Sequence, residues 1–179
     1  MPLASAVPGE RPVLRAALPV FAVTLAASLA WLAAIVLAPV LRSRGHAGAA
    51  AFLYSVFAPV CHQIPGRSFF VCGFPLAVCA RCLGVYTGAL AGLLAYPFVR
   101  GFSRLEVPPG RLFLLLSLPI GLDFAGGLLG LWSSPNLLRA ATGFAWGVLL
   151  PYYFITGAAE LLLRRPGAGL ANRPEKTVE

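Results

Sequence analysis

Charge is what this sequence has least of. Only 11% of its 179 residues are Asp, Glu, Lys or Arg, against roughly 25% in a soluble domain. With 59% hydrophobic residues and a mean hydropathy of +0.82, that shortage excludes a water-soluble globule. Methionine is nearly missing too: Met1 stands alone, and there are two histidines. That scarcity argues against a Cu(I) relay along thioether ligands. No basic stripe with interleaved aromatics occurs, so the formal net charge of +8 does not mark a nucleic-acid binder. The basic residues stand singly or in pairs at the ends of apolar runs, where orientation signals and headgroup contacts belong.

Apolar length is what the chain has instead. A helix needs about 20 mostly apolar residues to cross the hydrocarbon. Runs at about 16–41, 80–99, 112–131 and 140–163 qualify. The expected fold is an all-α integral membrane protein, a four-transmembrane-helix bundle in one domain over 1–165. A polar tail rich in Pro and Gly, 166–179, is expected to be disordered. The first run is too long, and its lead too polar, for a cleaved signal peptide. Between the first two spans, 48–60 is apolar but too short to cross, and 69–77 is shorter and broken by Gly73 and Pro75. Both read as re-entrant or interfacial pieces, because irregular backbone at membrane depth must be covered by protein or water.

Loop charge sets the orientation. Four spans put Arg11, Arg15, Arg100, Arg104, Arg111, Arg164, Arg165, Arg173 and Lys176 on one side. Arg42, Arg44, Arg67, Arg81 and Arg139 fall on the other. Nine against five predicts cytoplasmic termini in the cell's inner membrane. Glycines recur every fourth residue at Gly84, Gly88 and Gly92, at Gly126 and Gly130, and at Gly143 and Gly147. This spacing lets helix backbones approach closely, within one bundle or, as the alternative, across a homodimer face.

The chemistry is concentrated in one stretch. All four cysteines fall between Cys61 and Cys82, in the strings Cys61-His62-Gln63-Ile64-Pro65-Gly66-Arg67-Ser68 and Cys79-Ala80-Arg81-Cys82, with Cys72 between them. One reading is metal. Cys61, His62, Cys79 and Cys82 form a Cys₃His set, a standard zinc combination, and Cys-x₂-Cys spacing chelates a single ion. Adjacent Cys61 and His62 need a bent backbone, which Pro59 and Pro65 make possible. The other reading is thiol–disulfide chemistry, with Cys79–Cys82 as active pair and Cys61–Cys72 as shuttle pair. A helix N-terminus after Cys79, helped by Arg81, would lower its thiol pKa. Four-helix membrane enzymes of the vitamin K epoxide reductase type are similar in cysteine count and helix number. Their Cys-x-x-Cys stands in the fourth core helix, so the likeness is architectural.

Alternate loops share a membrane face. The cysteine stretch therefore meets the segment carrying Asn136 and Arg139, and the end of the third span with Asp123. Asp123 is the one carboxylate well inside an apolar run, and such a residue needs a partner; Arg81, Arg67 and Arg139 can supply it. Either it fixes helix register or it serves a substrate or proton. Tyr86 can add its hydroxyl from the second span. Glu160 and Arg164 have the i, i+4 spacing of a helical ion pair, and His46 is given no role.

The strings Cys-His-Gln-x-Pro-x-Arg-Ser-Phe at 61–69 and Val-Cys-Ala-Arg-Cys-x-Gly-Val-Tyr-x-Gly at 78–88 resemble a prokaryotic membrane-protein family known as domain of unknown function 2085. The likeness runs from about Tyr54 to Tyr153 and includes Asp123, Asn136, Arg139, Thr142 and Gly143. It implies a functional set of Cys61, His62, Gln63, Pro65, Arg67, Ser68, Cys79, Arg81, Cys82, Gly84, Tyr86, Asp123, Asn136 and Arg139. Cys72 stands outside that pattern, which favours the three-thiol metal reading.

The expectation is thus a zinc site at Cys61, His62, Cys79 and Cys82. Beside it lies a pocket of Gln63, Arg67, Ser68, Arg81, Asp123, Asn136 and Arg139 for an anionic ligand such as a lipid headgroup. Asp123, Arg81, Arg139 and Tyr86 are the catalytic candidates if it is an enzyme. Iron, or no metal and a quinone-linked redox disulfide, is the alternative. A metal transporter ranks third, since the spans lack a path of further ligands. The partners are the bilayer and that ligand, with no nucleic acid.

Overall fold

The computed structural model describes residues 10–99 and 108–163, with side chains from Ala17 onward in the first helix. The 166–179 tail and most of the basic residues on the expected cytoplasmic side lie outside this description, as does Arg164, the expected partner of Glu160. Helix α1 (Glu10–Ser43) and helix α2 (Ala47–Phe57) come first. A 3₁₀ turn (Pro65–Arg67) and a hairpin of strands β1 (Phe70–Val71) and β2 (Phe74–Pro75) follow. Then come α3 (Ala80–Val99), α4 (Gly110–Leu128), α5 (Asn136–Gly147) and α6 (Leu150–Leu163). Four segments are long and apolar enough to cross a membrane: Ala17–Ser43, Ala80–Val99, Gly110–Leu128 and Asn136–Leu163. The protein is an all-α membrane protein with a small covered hairpin.

Glycine ends two of these helices. Gly45 follows α1 at φ +84°. The His46 N–H reaches back to Leu41 O at 3.0 Å and the Gly45 N–H to Arg42 O at 3.2 Å. That pair of bonds satisfies carbonyls the helix end would leave orphaned. Gly130, at φ +70°, ends α4 in the same way, with the Leu131 N–H on Gly126 O at 2.9 Å. The third span therefore stops at Leu128, short of the expected 131.

The glycine repeats divide into two uses. A Cβ on Gly84, Gly88 or Gly92 would sit 2.1–2.3 Å from the carbonyl oxygens of Ala140, Phe144 and Val148. A Cβ on Gly143 or Gly147 would meet the carbonyls of Arg81 and Val85 as closely. So α3 and α5 lie backbone against backbone. Lipid tails are as apolar as leucine, so such close van der Waals packing is what holds membrane helices together. Gly126 and Gly130 do something else. Gly126 makes room for the Trp132 ring, 2.1 Å from its would-be Cβ, and Gly130 is the helix stop. The expected third packing stripe is absent.

The fourth span is broken rather than continuous. It starts at Asn136, and α5 gives way to α6 at Val148 and Leu149. Pro151 is the cause: it has no N–H, and its ring crowds the carbonyl four residues back. Around it the Leu149 N–H bonds Trp146 O at 3.3 Å and the Tyr152 N–H bonds Leu149 O at 3.1 Å.

Helix α2 does not cross; it packs on α1. The 69–77 segment, expected as an interfacial piece, is a hairpin. Its two turn residues, Cys72 and Gly73, have φ of +51° and +82°, the backbone that a two-residue turn of right-handed twist requires. A lone hairpin is marginal, and this one is tied down. Tyr54 Oη donates to Pro75 O at 2.5 Å, and the Leu76 N–H bonds Phe69 O at 2.8 Å. The buried cluster beneath it takes in Ile35, Phe57, Cys61 and Val78, with Trp31, Cys82 and Tyr86 packed against it.

Candidate functional site: three thiols and a bound carboxylate

Irregular chain between α2 and α3 brings the thiols together. Gln63 turns the backbone, at φ +50°. Its amide Nε2 donates to Tyr54 O at 2.7 Å and to Ala77 O at 2.8 Å. This side chain staples the end of α2 to the residues before Cys79, and Cys61 is buried among Ile35, Phe57 and Val78. The Cys79 N–H then points at Cys61 Sγ, 3.1 Å away, and the Ile64 N–H at Cys79 Sγ, 3.3 Å away. The Cys79 carbonyl accepts the first helical bond of α3, from the Leu83 N–H at 2.9 Å. Cys79 thus caps the helix and Cys82 stands in its first turn. Cys79 and Cys82 both pack against the buried cluster that contains Cys61.

The Cys79 thiol differs from expectation in its acidity. Its hydrogen bond to Cys61, and then its burial, push its pKa up. The Ile64 N–H and the Ser68 hydroxyl pull the other way and lose. A neighbouring thiol and a half-buried place thus favour the protonated form more than those two hydrogen bonds favour the thiolate.

Other sequence candidates separate here. His62 is exposed, so it does not join the three thiols. Cys72 is exposed at the hairpin tip, away from buried Cys61, and all four cysteines are free. Among the described residues, no group of three or more His, Cys, Asp or Glu is arranged to hold a metal ion. Arg67 is exposed. Ser68 is buried, with its Oγ on Ile64 O at 2.9 Å and its own carbonyl accepting from Asn136 Nδ2 at 3.2 Å. Asn136 therefore pins the start of α5 to the cysteine loop.

Asp123 finds its partner in Arg81. Arg81 Nη2 donates to Asp123 Oδ2, and Ser134 Oγ donates to Asp123 Oδ1. The Arg81 guanidinium also lies over the Phe124 ring, 5.8 Å from its centroid. Arg139 lies close enough for its charge to act on the same carboxylate. The Nε atoms of Arg81 and Arg139 are buried without a hydrogen-bond partner. A carboxylate inside a span must be compensated, and this one is, from α3 and from the loop after α4. Arg81 stands between Cys79 and Cys82, so the ion pair also sets the orientation of the first turn that carries the thiols. Ser134 and Phe124 were missed from sequence. A serine just past the span that bears the lone carboxylate is the signal that could have found the first.

These residues fall inside a stretch with known relatives. A family described as "Predicted membrane protein (DUF2085)" matches residues 61–153. An uncharacterized protein of Methanocaldococcus jannaschii is 38% identical over 113 residues, covering 63% of this chain and 72% of its own. An uncharacterized protein of Methanothermobacter thermautotrophicus is 36% identical over 92 residues, covering 51% of this chain and 81% of its own. No solved structure matches. The chain belongs to the DUF2085 family of predicted membrane proteins.

Proposed function

We propose that this membrane protein is a thiol–disulfide oxidoreductase in which Cys61 passes a disulfide between Cys79 and Cys82. One observation carries the reading: the Cys79 N–H points at Cys61 Sγ, 3.1 Å away, and Cys79 and Cys82 both pack against the buried cluster that holds Cys61. An oxidised Cys61–Cys82 bond is open to attack by Cys79, which would form Cys61–Cys79 on the loop side and release Cys82 as a thiol. The loop side then exchanges with an external dithiol, which leaves as a disulfide. Nine basic residues against five support cytoplasmic termini, which would put the thiols outside, where disulfides persist. The Arg81–Asp123–Ser134 group holds the first turn of α3 in register for this exchange.

The zinc reading is the alternative: its support is the three cysteines of one loop and helix start, although no group of three or more His, Cys, Asp or Glu among the described residues is arranged to hold a metal ion. Elemental analysis of detergent-purified protein, with thiols counted on the same sample, separates the two. Under the redox reading, zinc and iron are far below one per chain. Diamide removes two thiols, dithiothreitol restores them, and peptide mapping finds Cys61 joined to Cys79 or Cys82, in Cys72→Ser as in the native chain. One zinc per chain with three protected thiols would replace this reading by a structural or catalytic metal site. Alkylation adds a pH test. The pKa of Cys79 is raised, so it stays a thiol through the ordinary thiol range and is alkylated appreciably only at higher pH. The same shift favours the folded state below the free-thiol pKa, about 8.5, and that contribution is lost as pH climbs toward the raised value.

A further inference from the structure

A cleft of about 260 Å³ opens between α1 and α3, lined by Thr24, Ala27, Ser28, Trp31, Tyr86 and Ala89. Both helices span, so it opens sideways into the hydrocarbon. Its inner end lies beside the thiols. Trp31 is one helical turn from Ile35, whose carbonyl receives the Ala77 N–H at 3.5 Å. Tyr86 is one turn beyond Cys82 on α3, on the same face, and both it and Trp31 pack against the cluster that contains Cys61.

The polar groups in this cleft are few and specific. Thr24 Oγ1 is already bonded to Val20 O at 2.6 Å. The Trp31 indole Nε1 is buried and makes no well-formed hydrogen bond; its polar neighbour is the half-buried Tyr86 hydroxyl, toward which it donates weakly. An indole N–H can only donate, and a buried donor left unpaired is costly. The Trp31–Tyr86 pair therefore keeps a donor that is poorly satisfied, and an acceptor oxygen on an otherwise apolar molecule would complete it. The cleft lies at the small end of ligand pockets, which run from roughly 300 Å³ upward. It holds a ring, with any hydrocarbon tail left in the lipid.

Resting on the thiol reading above, we infer that the α1–α3 cleft binds the ring of a membrane-borne quinone, with a ring carbonyl on Trp31 Nε1, and that this quinone is the oxidant of Cys61 and Cys82. The balance is complete. Two S–H bonds break and one S–S bond forms. The two electrons and two protons reduce the quinone to a hydroquinone, which leaves by the same lateral opening.

The test uses full-length protein in detergent, reduced and desalted, with tetramethyl-1,4-benzoquinone, whose ring has no free carbon for thiol addition. Diamide is the parallel water-soluble oxidant. The expected result is one hydroquinone formed per two thiols lost. Trp31→Phe, and Ala89→Leu to fill the cleft, should slow this by about tenfold, the worth of one buried hydrogen bond, with the diamide rate unchanged. Normal diamide oxidation with no quinone reduction, or with variants as fast as the native chain, would overturn the quinone site and leave the thiol reading standing. Failure of diamide to form a disulfide in the native chain would overturn both.

Discussion

Helices α5 and α4 are both held to the rest of the bundle, but by opposite means. The α3–α5 seam has no room for side chains: five glycines put carbonyls where Cβ atoms would be. Among the described residues, helix α4 is held mainly through side chains. Phe113 meets the rings of Trp146 and Tyr153 at 5.7 and 5.5 Å, Trp146 Nε1 donates to Ser117 Oγ at 2.9 Å, and Asp123 meets Arg81. A backbone seam is rigid and tolerates no added volume. A side-chain link can be altered one group at a time. The comparison teaches that the thiols sit at the mouth of the rigid seam, where Cys82 is followed two residues later by Gly84. The buried charge joins the looser helix to that same mouth.

The largest expected effect breaks the seam. Gly88→Leu forces apart backbones that leave a Cβ only 2.3 Å from Phe144 O, and should cost about 3 kcal/mol, read as loss of folded protein in detergent unfolding. Gly121→Ala on α4, where nothing lies within 4 Å, should stay within about 1 kcal/mol of the native chain. Equal losses from the two would erase the contrast.

Next comes the charge link. Asp123→Ala strands the Arg81 guanidinium, and should cost about 2 kcal/mol, below the full figure for a buried pair because Arg81 keeps 23% of its side chain exposed. The double variant Asp123→Leu with Arg81→Met should recover much of that loss. No recovery would mean that Arg81 serves the site by more than its pairing. The smallest effect is Trp146→Phe, which removes the hydrogen bond to Ser117 and keeps the ring. It should cost about 1 kcal/mol and leave thiol oxidation unchanged, which a thiol count on the same sample checks.

Much of this was legible in the sequence, because it rests on local rules. Apolar length sets the four spans, whatever they pack against. The Gly84, Gly88 and Gly92 spacing marks a close face, since every fourth residue of a helix faces the same way. Gly130 is the exception: its spacing with Gly126 reads as a packing stripe, whereas its positive φ makes it a helix stop. The cysteine-rich stretch stands out by composition.

Tertiary structure decided what depends on distance between residues remote in sequence. Spacing could not say that Arg81, rather than Arg67 or Arg139, takes Asp123, with Ser134 as second donor. It could not place Cys61 between Cys79 and Cys82 while leaving His62 and Cys72 exposed, because a turn at Gln63 and a hairpin at Cys72–Gly73 set those directions. Nor could it give the sign of the Cys79 shift. The helix terminus is a local feature and argues for a lower pKa, but the direction is set by the thiol of Cys61, 18 residues away in sequence and brought to it by the fold, together with burial.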